Sequence, residues 1–424
     1  MKHQWSLVAI GAALLGLITS TPRAGAGPAF QGLGDLPGGG FESRANAVSA
    51  DGTVVVGTSM SVSGVEAFRW TRTGGMVGLG SLPGKPFESL AYGASSNGSV
   101  IVGYGNGTEA FRWTASTGMV GLGDLPGGAV SSGASGTSGN GSVVVGTGVS
   151  DKGVEMFRWT QAGGMIGLGN LPGGAFGTAS RGISADGSVI VGFGTLPASV
   201  DPIRWTSTGG VVSLGNLPGE TFGEARASSA NGSVIAGYSG NSPRREAFRW
   251  TQTGGIRGLG DLTGGDFFSE AHAVSGDGSV IVGQGKTDWG FESFVWDEVH
   301  GMRRLQNVLI NDCGLSTQLA GWTLGSTSPF PGPDGTTGAL GISSDGMTIA
   351  GWGTNPDGNL EAWVATLPEP SSALIVVAIA GFYMQRRKRA TVGGNRMGSA
   401  VTASCSDSDC GPVARSSSRF PRTR

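Results

Sequence analysis

The sequence predicts an all-β repeat protein, a seven-bladed β-propeller built from four-stranded blades. Three observations carry that expectation. The stretch SADGSVIVG, Ser184 to Gly192, has near-copies throughout the chain, so that a Ser-x-Asx-Gly turn opens at Ser49, Ser95, Ser138, Ser184, Ser229, Ser275 and Ser343. The Trp of an FRW-type element recurs at Trp70, Trp113, Trp159, Trp205, Trp250 and Trp296, with spacings of 43, 46, 46, 45 and 46 residues. Glycine accounts for 81 of 424 residues, well above the usual ~7%. A period in the forties with several strands per unit is that of a propeller blade, and nothing in it follows a helical pattern.

Each unit reads strand by strand. Ser184-Ala185-Asp186-Gly187 is a tight hairpin, because Asx and Gly tolerate positive φ. The following SVIVG is apolar at consecutive positions, which fits a strand covered on both faces. A third strand, typified by Glu246-Ala247-Phe248-Arg249-Trp250, alternates large apolar with smaller or polar residues. The GGMxGLG element is the next strand. An Asx-Leu-Pro-Gly-Gly turn then leads to a last segment such as AFGTASRGIS and back to the hairpin.

Counting elements predicts closure. Seven hairpins and seven acid-started strands are matched by seven GLG-type strands, marked by Leu33, Leu79, Leu122, Leu168, Leu214, Leu259 and Leu305. The first, Gly32-Leu33-Gly34, precedes any hairpin, and the last unit lacks one. The N-terminal strand is therefore expected to complete the last blade and remove its open edge. An open β-solenoid is the alternative. The step from Asp277 to Asp345 is 68 residues, so residues 306–342 form an insertion, read either as a functional loop or as a cap at the ring seam.

Composition narrows the class. There is no strict every-third glycine, so collagen is excluded. The glycines separate β-branched runs, which argues against disorder. Charged residues are 14% and the net charge is −2, which gives no electrostatic case for nucleic acid. Cys313, Cys405 and Cys410 are too few for a disulfide-built fold.

Both ends carry addresses. Residues 1–26 begin with Lys2, continue through an apolar run and end at Ala24-Gly25-Ala26, a secretory signal with cleavage expected after Ala26. Residues 27–366 form the repeat domain. Residues 367–390 hold Pro368-Glu369-Pro370, an apolar run from Ser371 to Met384, and Arg386, Arg387, Lys388 and Arg389. That run is short against the ~20 residues of a spanning helix, and the basic cluster would stay on the cytoplasmic side, so it reads as a temporary anchor. Residues 391–424 are a Ser- and Arg-rich tail expected to be disordered.

These C-terminal residues resemble the PEP-CTERM sorting signal of Gram-negative-type bacteria. The resemblance implies processing by an exosortase, in addition to signal peptidase, and release to the cell surface or extracellular matrix beside exopolysaccharide. In that family the basic cluster ends the chain, whereas here the tail follows it. The repeats, through Gly-Leu-Gly-Asx-Leu-Pro-Gly-Gly, Ser-x-Asx-Gly and Ala-Phe-Arg-Trp, resemble the HAF repeats of bacterial extracellular proteins. That resemblance brings no enzymatic activity with it.

Candidate site residues are few. The hairpin residues Asp51, Asn97, Asn140, Asp186, Asn231, Asp277 and Asp345 each stand alone beside glycine. A Ca²⁺ site needs about six to eight oxygens, so turn chemistry accounts for them and no metal is expected. The strand-opening acids Glu66, Glu109, Glu155, Asp201, Glu246, Glu292 and Glu361 would form a ring. They are read either as an axial cation or sugar site or, preferably, as ion-pair partners of Arg69, Arg112, Arg158, Arg204 and Arg249. The FRW tryptophans are expected in the core, whereas Trp289, Trp322 and Trp352 lie outside that element and are candidate ligand contacts. His272 and His300 show no paired-His spacing. Gly32-Leu33-Gly34 is not a dinucleotide loop, since no helix follows. No nucleophile elbow is present. The expected function is that of an exported, non-enzymatic surface or matrix protein binding polysaccharide or a protein partner, without cofactor. An extracellular lyase or glycosidase on a propeller is the alternative, and would be marked by paired carboxylates about 5–10 Å apart in a cleft.

Overall fold

The computed structural model describes residues 27–83, 86–174, 177–241, 243–326 and 338–368. The expected signal peptide, the tail and all of the expected sorting signal after Pro368 lie outside them. Among the described residues no helix is long and apolar enough to cross a membrane.

The chain forms seven antiparallel sheets, each with a four-stranded path. The fifth blade shows the plan: Gly223–Ser228, Val234–Ser239, Glu246–Thr251 and Gly255–Gly258 follow one another from the inside outward. Each innermost strand packs on the innermost strands of its two neighbours, and Gly338–Ile342 of the seventh blade packs on Gly38–Val48 of the first. The ring is closed, and the protein is a seven-bladed β-propeller.

Closure is made by the N-terminal strand. Ala29–Gly32 pairs antiparallel with Leu360–Thr366, with Gly32 opposite Trp363, and forms the outer edge of the seventh blade. Phe30 is buried and meets Trp322 edge-on at 5.0 Å. The insertion is a seam cap over its described part. Leu305, Leu309, Leu315, Leu319 and Leu324 bury themselves with Phe30 and Trp363. Thr323 and Thr354 exchange backbone hydrogen bonds of 2.9 and 3.0 Å, while Gly325 pairs with Glu292. The segment thus ties the sixth blade to the seventh. Residues 327–337 lie outside the described residues.

The hairpins behave as local turn chemistry predicts. Ser49 Oγ donates to Asp51 Oδ1 at 2.6 Å, the Thr53 amide donates to the same carboxylate at 3.0 Å, and the Val54 amide donates to Ser49 Oγ at 3.0 Å. The arrangement recurs in the other hairpins, for example at Ser184 and Asp186. The hairpins are also joined to one another. Asp51 N donates to Ser96 O, Ser96 N to Gly139 O, Gly139 N to Ala185 O, Asp186 N to Ala230 O, Ala230 N to Gly276 O, Gly276 N to Ser344 O, and Ser344 N to Ala50 O, all at 2.7–3.2 Å. This is a closed belt of backbone hydrogen bonds around the axis.

A second regularity lies one layer away. In every blade the innermost strand skips one pairing beside the glycine that follows the apolar run of the second strand. In the fifth blade Ala225 pairs with Gly237 and Ala227 with Ala236, so Arg226 is an extra, bulged residue. A Cβ on Gly237 would land on the carbonyl oxygen of Glu224. The same holds for Gly57, Gly103, Gly192 and Gly283 against Arg44, Leu90, Ala179 and Glu270. The repeated glycine is a steric requirement of the bulge. Gly237→Ala is expected to lower the unfolding free energy by about 2–3 kcal/mol in denaturant titrations, the usual scale for forced overpacking. Gly40→Ala, where a Cβ meets nothing within 4 Å, is expected to stay within about 0.5 kcal/mol. Equal effects would contradict the steric account.

Candidate functional site

The seven bulged residues are Asn46, Tyr92, Ser135, Arg181, Arg226, His272 and Leu340. All seven line one axial cavity of about 500 Å³. A bulge re-aims the side chain of the extra residue, and here seven bulges converge. The remaining wall comes from Tyr104, Gly133, Ala134, Thr147 and Ser180. Every wall residue sits at the bulge or on the side of the strand starts, away from the hairpin belt.

The lining is rich in donors and holds no carboxylate. Two carboxylates stand just behind it. Arg181 Nε reaches Glu224 Oε2 at 3.1 Å, and Arg226 lies 3.9 Å from Glu224 and 3.8 Å from Glu270. Arg245 also pairs with Glu270, and Gln284 Nε2 donates to Glu270 at 2.9 Å. Three guanidiniums therefore face two carboxylates. Tyr238 carries Arg226 and Arg245 over its ring at 5.0 and 4.8 Å. Burial and the Glu224 charge push its hydroxyl up to about 12. Burial opposes the charge on Glu224, but Arg181 and Arg226 outweigh it and hold the carboxyl below its ordinary range. Glu270 and Glu224 likewise overcome burial to keep Arg226 firmly charged.

His272 is the neutral member. Burial first, and then the Arg226 charge, drive its pKa well below the ordinary value. Arg226 Nη1 lies 3.2 Å from His272 Nδ1. Arginine only donates, so Nδ1 accepts and the ring proton sits on Nε2. That atom is buried without a hydrogen-bond partner, 4.0 Å from Glu270 Oε2.

The residues singled out from the sequence fall elsewhere. The strand-opening acids do not line the axial cavity. They bind the GLG turn. Glu66, Glu109, Glu155, Glu246 and Glu361 accept from the amides of Gly80, Gly123, Gly169, Gly260 and Gly34 at 2.8–3.2 Å. The carboxylate occupies the space of the missing side chain on the first GLG glycine, for example Gly78 against Glu66. Where that glycine is replaced, the contact changes. Ser213 donates to the shorter Asp201 at 2.6 Å, and Arg304 makes an ion pair with Glu292. Arg69 and Arg112 reach instead toward the hairpin carbonyls of Gly98 and Gly141 in the next blade.

Trp289 is 75% exposed, at a hairpin tip on the same end of the ring as the cavity's open side. Trp322 is half-buried in the seam. Trp352 is only 2% exposed and lies beneath the Arg44 guanidinium at 5.0 Å, so its ring is not open to a ligand. Of the FRW tryptophans, Trp70, Trp250 and Trp296 are buried and Trp113, Trp159 and Trp205 half-buried. Of the sorting signal, only Pro368 is described, and Ala24 and Ala26 are not. Among the described residues no group of three or more His, Cys, Asp or Glu side chains is placed to hold a metal ion. Cys313 is half-buried against the seam, its thiol pushed up by burial and by Asp312.

Reading the sequence for motifs missed the axial site. Its signal is a column: the residue three before each hairpin Ser is Asn, Tyr, Ser, Arg, Arg, His or Leu, variable within a repeat that is otherwise uniform. His272 stands in that column.

No protein-family model matches the sequence, and no curated protein matches it. Among solved structures, the oligogalacturonate lyase of Vibrio parahaemolyticus is similar over 81% of this chain and 98% of its own, with 11% identity and a TM-score of 0.54. An oligogalacturonate lyase in complex with manganese is similar over 81% of this chain and 97% of its own, with 14% identity and a TM-score of 0.50. At such identities the likeness is one of fold. Fold and site together define a β-propeller with an axial, donor-lined pocket.

A pH dependence follows from His272. Its folded pKa is depressed, so the unfolded chain binds a proton that the native state refuses. Its contribution to stability is full above about pH 6.5 and is lost as pH falls, approaching about 1.4 kcal/mol per pH unit. Glu224, also depressed, adds its own loss below about pH 4.5. Urea unfolding at stepped pH is expected to show the upper slope in the native protein and not in His272→Gln. An unchanged slope in that variant would exclude the imidazole as its source.

Proposed function

We propose that this chain is an exported, non-enzymatic propeller that captures an acidic polysaccharide in its axial pocket. The observation that carries the reading is the lining itself: two guanidiniums and a neutral imidazole, with no carboxylate among the wall residues. Guanidinium forks match carboxylates in charge and geometry. Asn46, Ser135, Thr147 and Ser180 supply amide and hydroxyl groups for sugar hydroxyls, and Tyr92 and Tyr104 supply ring surface. The wall carries arginines where the usual glycoside hydrolases carry a carboxylate pair, which supports the binding reading. The export signal of residues 1–26 and the sorting signal of Pro368–Arg389 support a surface or matrix location, processed by signal peptidase and exosortase, where exopolysaccharide is at hand. The oligogalacturonate named for the structural neighbours makes galacturonan the natural probe.

A second reading, a uronate lyase on the same pocket, is favoured by one observation, a neutral imidazole directly beside an arginine. In that case Arg226 would turn from His272 Nδ1 to the uronate carboxylate, and the freed Nδ1 would take the ring proton beside that carboxylate. The glycosidic C–O bond on the next carbon would break as the ring double bond forms, its oxygen leaving with a proton from solvent.

One titration tests both. The full chain is expected to bind galacturonan saturably and neutral galactan not at all. Arg181→Gln is expected to weaken binding at least tenfold, in line with the roughly 1.5–3 kcal/mol of a hydrogen bond to a charged group. Its unfolding transition is expected to move little, because Glu224 keeps Arg226. Equal binding of both polymers, or an indifferent Arg181→Gln, would contradict the site. Growth of the ultraviolet absorbance of an unsaturated uronate would replace the binding reading by the lyase.

A further inference from the structure

We infer that the axial pocket is a well closed at its hairpin end, so that it takes the terminus of an acidic polysaccharide chain and not its middle. The inference deepens the functional reading above and rests on it.

The closed end is the hydrogen-bonded belt. The second residue of each Ser-x-Asx-Gly turn belongs to it, and in all seven turns that residue is Ala, Ser or Gly. The reason is crowding. A Cβ built on Gly139 would meet Ser96 Oγ on one side and the Ala185 Cβ at 3.5 Å on the other. A Cβ built on Gly276 would lie 3.1 Å from the Ser344 Cβ. Gly139 touches both neighbours at once, and the belt repeats its placement around the axis. Seven Cβ positions about 3.5 Å apart lie on a circle of radius about 4 Å, and ordinary carbon contact distances leave a bore about 4 Å wide. Water fits such a bore. A pyranose ring with its hydroxyls does not.

Widening the bore would break the belt. Each of its bonds is a backbone amide to a backbone carbonyl of the next blade, so opening it would break all seven inter-blade hydrogen bonds of the belt at once. The belt is a fixed floor.

The wall is consistent with a one-ended site. It runs from the bulge ring toward the strand starts and includes no residue on the belt side of the bulges. The cavity of about 500 Å³ falls within the range that holds one small ligand, enough for a few sugar units. A polymer bound by its middle would have to leave the cavity in two directions, and only one is open. A chain end enters once, sets its terminal carboxylate on Arg181 and Arg226 near the bottom, and leaves its remainder outside.

The test is stoichiometric. The full chain is titrated with galacturonans of known and increasing chain length, and its binding capacity is expressed per gram of polymer. End recognition predicts that doubling the chain length halves the capacity per gram, while the affinity per bound end stays constant. Reducing the sugar at one end to its alditol is expected to abolish binding or leave it untouched, according to which end enters. Capacity per gram that is independent of length, or undiminished binding by polymer blocked at both ends, would overturn the inference while leaving the uronate reading intact. No binding to any galacturonan would overturn that reading and this inference with it.

Discussion

The structure depends on a close approach between two backbones. In the first six blades the glycine that follows the apolar run of the second strand lies against a carbonyl of the innermost strand, where even a methyl group would collide. That approach admits the extra residue of the bulge, and the bulge turns its side chain toward the axis. Glycine in a strand interior weakens it by roughly 0.5–1 kcal/mol. The loss is offset nearby: Phe68, Phe111, Phe157, Phe248 and Phe294, directly opposite these glycines, are fully buried.

Around this constraint the repeat divides its labour. The Ser-x-Asx-Gly turns and the acid–GLG contacts are self-contained and nearly identical from blade to blade. They build the frame. The bulge position takes no part in those frame contacts: its side chain lines the cavity and meets side chains of the next blade, as Arg181 meets Glu224 and Arg226 meets His272. Substitution there changes the lining without disturbing the frame, which is why arginine, histidine, tyrosine and leucine can share one column. The charges accumulate on adjacent blades, Arg181 and Arg226, beside the neutral His272 and with Glu224 and Glu270 behind them. One arc of the pocket is therefore cationic and the rest is polar.

Much of the fold was legible in the sequence, because its signals are local and repeated. The hairpins, the strand count, the closure by residues near Phe30 and the seam position of the insertion all follow from the period and from turn chemistry. The site was not legible, because it depends on register. Nothing near His272 in sequence announces that Arg181 and Arg226 share its cavity. They come together only once three successive blades are set around an axis. The strand-opening acids were misread for a related reason. Glu66 has Arg69 nearby in sequence, but the space it fills belongs to Gly78, one strand outward. Trp352 was misplaced because its cover, Arg44, comes from the far end of the chain across the seam.

The central claim is that the bulge ring is the binding surface. A crystal structure of the protein soaked with a short oligogalacturonate tests it most directly. The account predicts ligand in the axial cavity, with a carboxylate on Arg181 or Arg226, its first sugar above the hairpin belt, and the rest of the oligomer directed away from that belt. Ligand bound instead on the outer strands or on Trp289 alone, with the cavity empty, would contradict it.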